Sequence, residues 1–411
     1  MIISLLCFVV YGCSSEMHPR RSAAFEVSIA RLAETRGPVW WMGKADFNLD
    51  GREDMLVAGH RSIEGAAIFF GDPALNTWKA SEKQHGGHKV LGFERDRHGC
   101  TVADITGDAR PDVFCVSGAE RGSGGNDNEL WKNLDGYRFE QNLYHGAEER
   151  SARGRLANFF NFDGQHPPEL VTTVWGDRTD NMPNRSRVWR WVGTRFQSID
   201  TMLGHKQGGR CLKVYDINGN GLDDLLTCGE KQGFSIYMNN GRLDFDEHSP
   251  GGAALRNTWW WDVALTPGKA ADSSQIAFIV EPIGRQKIHI GTLSDNLRLS
   301  AKKYIPCSFK SGRADDDIYC ARVVWHDFNA DGASDLYVVR RSDRETVSPQ
   351  GDVDDLIIFG PAYDSYLPVT RSDIGAGTEA ISIGDAVVRL TAGEDWTGAL
   401  DIIRVISRAD Q

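Results

Sequence analysis

The chain contains no GxSxG, HExxH, P-loop or dinucleotide-binding phrase, which removes the usual signatures of serine hydrolases, zinc peptidases, nucleotide phosphatases and dehydrogenases. Long linkers and low-complexity tracts are also missing, so 411 residues do not by themselves imply several domains. The apolar run that opens the chain, Met1 to Cys13, is too short to span a bilayer. Positive charge is scarce: 46 Lys and Arg against 57 Asp and Glu leave a net charge of -11, which disfavours a nucleic-acid partner.

What is present is an acidic nonapeptide, Asp-x-[Asn/Thr]-x-[Asp/Asn]-x-x-x-Asp, repeated four times and followed each time by an apolar run. Its copies place Asp46, Asn48, Asp50 and Asp54; Asp104, Thr106, Asp108 and Asp112; Asp216, Asn218, Asn220 and Asp224; and Asp327, Asn329, Asp331 and Asp335 at positions 1, 3, 5 and 9. Position 7, Arg52, Arg110, Leu222 or Ala333, completes each candidate site through its main-chain carbonyl. Oxygen donors at this spacing on a turning loop suit Ca2+, which takes roughly six to eight oxygen ligands. An EF-hand would close with Glu at position 12 between two helices. Here that position is Val57, Cys115, Thr227 or Val338, and the flanking runs are rich in β-branched and aromatic residues. These loops join strands.

Spacing sets the architecture. A decayed copy, Phe159-Phe160-Asn161-Phe162-Asp163-Gly164, and fainter ones opening at Thr266 and near Thr391 bring the units to seven, with starts at 46, 104, 159, 216, 266, 327 and 391. In the decayed copy, position 1 is read as Phe159 and position 9 as Pro167, which leaves too few oxygens for a metal. Repeats of roughly 40 to 50 residues holding about four strands are propeller blades, and these are slightly longer. The last unit has one strand beyond Asp401, so the run Ala24 to Ala30 is expected to close the ring. The fold class expected is all-β, a seven-bladed β-propeller with calcium-binding loops between blade strands.

The acidic loops, Phe70-Gly71, Phe359-Gly360-Pro361 and the phrases Leu130 to Phe139 and Ile236 to Phe245 together resemble the FG-GAP/VCBS repeats of integrin-α-like propellers. The resemblance covers roughly residues 24 to 411 and implies a calcium-stabilised ring working outside the cytoplasm in binding or adhesion. The division expected is 1–22 as export signal and candidate lipoprotein anchor, and 23–411 as propeller. Val10-Tyr11-Gly12-Cys13 resembles a lipobox, so the protein is read as secreted or surface-held through a lipid on Cys13, its one contact with a membrane. Four bound Ca2+ would bring the charge from -11 to about -3.

Six further cysteines favour export. Cys100 and Cys115 flank one loop, and Cys211 and Cys228 another, at positions that face each other across an antiparallel pair. Cys307 and Cys320 are left to each other.

Counting six residues back from each loop start gives Trp40, His98, Arg153, Arg210, Trp260, Ala321 and Asp385, a row expected at one mouth of the central channel and suited to an anion or sugar. Trp41, Trp175, Trp189, Trp191, Trp259 and Trp261 either offer flat faces to a sugar or pack between blades. Two functions follow: a binding or adhesion module for a glycan or protein, or a polysaccharide lyase with His98 as general base and Arg153 or Arg210 on a uronate.

Overall fold

The computed structural model describes residues 15–17, 19–36, 39–59, 67–72, 77–80, 91, 96–118, 127–149, 154–174, 185–199, 211–229, 233–241, 244–250, 260–266, 274–281, 285–294, 296–308, 318–342, 354–369, 376–392 and 397–410. Seven antiparallel sheets account for nearly all of the secondary structure. Blade one is Val39–Ala45, Asp54–Gly59, Ala67–Asp72 and Thr77–Ala80. Blade two runs from Arg97–Ala103 through Asp112–Ser117 and Glu129–Asn133 to Phe139–Asn142. Blade three comprises Gly154–Phe160, Glu169–Val174, Arg185–Trp191 and Phe196–Ile199, and blade four Cys211–Tyr215, Asp224–Gly229, Gly233–Asn239 and Phe245–His248. Blade five has Trp260–Leu265, Ser274–Val280, Lys287–Leu293 and Leu299–Pro306, and blade six Ile318–His326, Asp335–Ser342, Asp355–Phe359 and Ser365–Val369. Blade seven takes Ala376–Ile383, Ala386–Ala392 and Thr397–Ser407, and its fourth strand, Phe25–Arg36, comes from the other end of the chain. The ring closes as the sequence predicts.

The first strands of successive blades lie against one another, seven meeting one again, and so surround the axis. Seven apolar clusters fill the seven interfaces between neighbouring blades. A second strand is therefore covered on both faces, and Asp54–Gly59, Asp112–Ser117 and Glu169–Val174 are buried throughout. That burial explains why these strands read as continuous apolar runs rather than alternating ones.

First strands also present an unpaired edge toward the axis, and side chains of adjacent blades help to satisfy it. Thr101 Oγ1 accepts from Phe159 N at 3.0 Å, Asp262 Oδ2 accepts from Val323 N at 3.0 Å, and Asn158 Nδ2 donates to Leu212 O at 2.9 Å. Buried charge fixes the closing strand, because Arg31 Nε donates to Asp401 Oδ1 at 2.7 Å while Arg389 joins Asp401 at 2.9 Å to Asp355 of blade six at 3.1 Å. Upstream, Ser15–Glu16 runs parallel to the outer strand of blade five and Arg20–Arg21 parallel to that of blade six. No described helix is long and apolar enough to cross a membrane. Residues 1–14, with Cys13, lie outside the described residues.

Three disulfides form as expected. Cys100 and Cys115 are paired residues of one ladder, as are Cys211 and Cys228, while Cys307–Cys320 ties the end of blade five to the first strand of blade six. Two repeat assignments need correction. Blade seven does not open near Thr391, which lies on its second strand; the turn matching the acidic loop is Gly384-Asp385, shortened until the nonapeptide is gone. In blade three the first strand runs on through Phe160, so position 1 is Asn161 rather than Phe159.

Candidate metal loops and channel

The four intact nonapeptides all link a first strand to a second, so they emerge on one face of the ring. They share one hydrogen-bond plan. Position 1 accepts from the N–H of positions 5 and 6, as in Asp46 from Asp50 at 3.0 Å and Gly51 at 2.8 Å, and Asp327 from Asp331 at 3.1 Å and Gly332 at 2.9 Å. Asp104 and Asp216 make the same pair of bonds. The side chain at position 5 accepts from the N–H at position 7: Asp50 from Arg52, Asp108 from Arg110, Asn220 from Leu222 and Asp331 from Ala333, at 2.8 to 3.1 Å. Asn48, Asn218 and Asn329 at position 3 also accept from position 5. Thr106, in that place in the second loop, is exposed.

Left-handed backbone at positions 4 and 6 curls each loop. Gly219 and Gly221 adopt it in the third loop, and Leu49 with Gly51, Gly107 with Ala109 and Ala330 with Gly332 in the others. Glycine takes that conformation freely, whereas Leu49, Ala109 and Ala330 are held in it against their own preference.

Position 9 behaves differently because it is wholly buried. Asp54, Asp112, Asp224 and Asp335 each accept one N–H from position 2 of the same loop and one from the end of the third strand. The third-strand donors are Gly71, Asn133, Asn239 and Gly360, so the Phe-Gly and Asn-Gly phrases in the sequence mark where the loop is tied down. Burial pushes these four carboxyls up to about 6; their backbone N–H partners oppose the shift and the carboxylates nearby reinforce it.

Among the described residues no three His, Cys, Asp or Glu side chains gather into a metal cluster by themselves. The donor chemistry nonetheless suits a hard cation. A carboxylate oxygen has two lone-pair sites. Apart from Asp104 Oδ1, which accepts two N–H groups, the Asp oxygens at positions 1, 5 and 9 accept at most one hydrogen bond each, so they keep acceptor capacity around one turn. The negative charges already disfavour one another.

Blade three keeps part of the plan with other residues, sharing the bonds from position 5 to position 3 and from position 2 to position 9. Asn161 accepts from Gly164 N at 2.9 Å, Asp163 from Gln165 N at 3.0 Å, and Glu169, at position 9, from Phe162 N at 3.2 Å. Asn161, Asp163, Gln165 and Glu169 thus hold positions 1, 3, 5 and 9, so the sequence assignment that left this loop short of oxygens was misaligned by two residues. What sets it apart is Arg190. The register places Arg190 beside Glu169 on the third strand, and its Nη2 donates to Asp163 Oδ2 at 2.6 Å and to Glu169 Oε1 at 2.7 Å. The Nε adds a bond to Glu169 Oε1 at 2.8 Å. Sequence reasoning missed this residue, although a Glu allowed at position 9 would have pointed to it.

Among the described residues the expected row at the channel mouth is broken at Trp260 and Asp385. Six first strands carry a β-bulge near their start, at Trp40, His98, Arg155, Trp261, Ala321 and Thr378. The bulge lies six residues before the loop in blades one, two, three, six and seven and five before it in blade five, so the count keeps register except in blade five. It misses in blades three and seven because their loops open at Asn161 and Gly384 rather than at Phe159 and Thr391. His98 is buried, with Nε2 3.0 Å from Asp96 and Nδ1 3.1 Å from the Gly154 carbonyl, so both ring nitrogens are engaged and neither is open to a substrate proton. Trp260 lies in the core, stacked between Phe234 and Phe278 with centroids 4.8 and 4.9 Å away. Ala321 is buried, and Asp385 sits at the other end of its strand, paired with Arg404 at 3.1 Å. Arg153, Arg210, Trp175 and Trp259 lie outside the described residues, as does the side chain of Trp40. Trp189 and Trp261 are also buried between blades, which assigns them to packing. Nearer the axis, charges pair across blades, Lys213 with Asp262 at 3.5 Å and Arg322 with Glu379 at 3.0 Å.

No family model matches the chain, and no curated protein matches it. Among solved structures it is similar to YCF48 bound to D1 peptide, at 9% identity and a TM-score of 0.54, over 96% of this chain and 99% of that one. It is also similar to the Dos1 propeller, at 9% identity and a TM-score of 0.45, over 94% of this chain and 95% of that one. At such identities the likeness speaks for the fold alone, and it agrees with the seven sheets: the chain is a seven-bladed β-propeller.

Proposed function

We propose that this chain is a calcium-stabilised binding module of the FG-GAP/VCBS kind, exported from the cytoplasm, whose ring holds a peptide or protein partner. The observation that carries the metal reading is the shared plan of four loops on one face, each lined by oxygen at positions 1, 3 and 5 around a buried carboxylate at position 9. Asp46, Asn48, Asp50 and Asp54 would hold the ion in blade one with the Arg52 carbonyl, and the corresponding residues in blades two, four and six. Bound Ca2+ would neutralise the carboxylates that now help to raise the buried carboxyl at position 9 and would pin the first strand of a blade to its second.

Three disulfides support the extracellular assignment, since such bonds persist in oxidising compartments. Attachment through Cys13 belongs to the same reading. Burial of Trp131, Trp189, Trp260, Trp261 and Trp325 takes these five out of the flat faces a sugar would use. Among the described tryptophan side chains only Trp41 and Trp191 stay half-exposed, which favours a protein partner over a glycan. YCF48, whose fold this chain shares, is bound to D1 peptide in its solved structure.

Thermal unfolding with about 1 mM Ca2+ against chelator tests the metal reading, each site being expected to add about 0.4 to 1.4 kcal/mol at extracellular-range affinity. A melting curve unmoved by either condition rejects it. Binding of the full chain to a peptide array, with a glycan array beside it, tests the partner class, and signal on glycans alone rejects the protein reading.

A further inference from the structure

The loop of blade three has the oxygen pattern of the other four and yet carries its own cation. We propose that the guanidinium of Arg190 stands in blade three where the other loops would hold a metal ion, so that this loop keeps its shape without Ca2+. The proposal rests on the calcium reading for its contrast, but the clamp itself rests on geometry.

Three observations converge. The chain path is comparable at the start of the loop: Gly164, at position 4, takes the left-handed conformation found at position 4 elsewhere, and Asn161 at position 1 caps the turn as Asp104 does by accepting from Gly107. Charge is next. Asp163 lies close enough to Glu169 to disfavour its ionisation, and Arg190 bonds to both within 2.8 Å, drawing down the Glu169 carboxyl that burial has raised. Last is the side-chain exchange at position 9. In the intact loops an Asp there takes one N–H from the third-strand backbone; Glu169 is a methylene longer and takes the Arg190 side chain from that strand instead. At the position of Arg190 the register puts the uncharged Phe70, Met238 and Phe359 in blades one, four and six, and in blade two Lys132, whose side chain is exposed.

A planar guanidinium fits this role better than an ammonium, because its fork reaches two carboxylates at once. Arg190 and Asp163 are partly exposed while Glu169 is buried, so the clamp joins a loop at the surface to the core beneath. The loop is also laced to blade four, where Asp223 accepts from Asn161 N at 2.6 Å and donates its own N–H to the Asn161 carbonyl at 2.8 Å. A change at Arg190 should therefore be felt in two blades.

Hydrogen–deuterium exchange on the full chain, followed over residues 161–169 and 327–335 with Ca2+ and with chelator, tests the idea. In the parent protein, chelation should speed exchange about tenfold or more at 327–335 and leave 161–169 unchanged. Arg190→Met should speed exchange at 161–169 about tenfold whether or not Ca2+ is present, with Arg190→Lys in between. Exchange at 161–169 that accelerates on chelation in the parent, or that ignores Arg190→Met, overturns the proposal. If chelator moves neither segment, the calcium reading fails, and the Arg190→Met result alone then decides the clamp.

Discussion

Blades three and six build the same turn at the same place in the ring and hold its charge by opposite means. In blade six, Asp327 and Asp331 stand exposed above a buried Asp335 whose two oxygens are taken by the N–H of Phe328 and Gly360. In blade three, Arg190 reaches across from the third strand and closes on Asp163 and Glu169. The fold requires each blade to turn sharply between its first two strands. It does not require one way of stabilising the turn, and blade seven, with only Gly384-Asp385, shows that even the nonapeptide is dispensable.

The largest effect expected is from the buried position of the unclamped loop. Asp335→Ala strands two N–H groups, and it should cost about 3 kcal/mol in chelator and up to about 1.4 kcal/mol more in Ca2+, where the site is lost as well. Urea unfolding measures it, and a loss below about 1 kcal/mol in chelator would mean that position 9 serves only a metal. Asp331→Ala, whose side chain is exposed, should cost little in chelator and show its effect only in Ca2+.

A smaller effect is expected on the clamped side. Asp163→Ala should cost about 1 kcal/mol, limited by solvent around the half-exposed Arg190, and should leave the number of bound Ca2+ unchanged. The sequence suggests no role for Asp163. The difference between the two readings is one of distance along the chain. Loops, ring closure and facing cysteines are patterns within a few residues or at a regular spacing, and all of them are legible in sequence. Arg190 is 27 residues from Asp163 and 21 from Glu169, and only the strand register brings the three together. The row of channel residues was lost for a related reason: the loops of blades three and seven open at Asn161 and Gly384, which only the strand pairing reveals, and in blade five the bulge falls one residue nearer the loop, at Trp261 rather than Trp260.

Blade five sharpens the comparison, since it has neither acidic loop nor clamp and its first strand is held by Trp260 stacked between Phe234 and Phe278, with His289 stacked on Phe278 at 5.0 Å. Burial, and then Lys287, depress the His289 imidazole to about 4. A depressed histidine favours folding when neutral, so its contribution is full above about pH 6.5 and is lost as pH falls toward 4. In chelator the four position-9 carboxyls raised to about 6 act in the opposite direction over that window, so the histidine is read by difference: from pH 6.5 toward 4 the parent should lose stability relative to His289→Phe. An unchanged difference would place the acid sensitivity elsewhere.

The central claim is that four loops take calcium and the fifth of the same pattern does not. Native mass spectrometry of the full chain in Ca2+ counts the ions directly. The parent protein should carry four and Asp331→Ala three; a parent carrying none or five, or an Asp331→Ala protein matching it, would contradict the account.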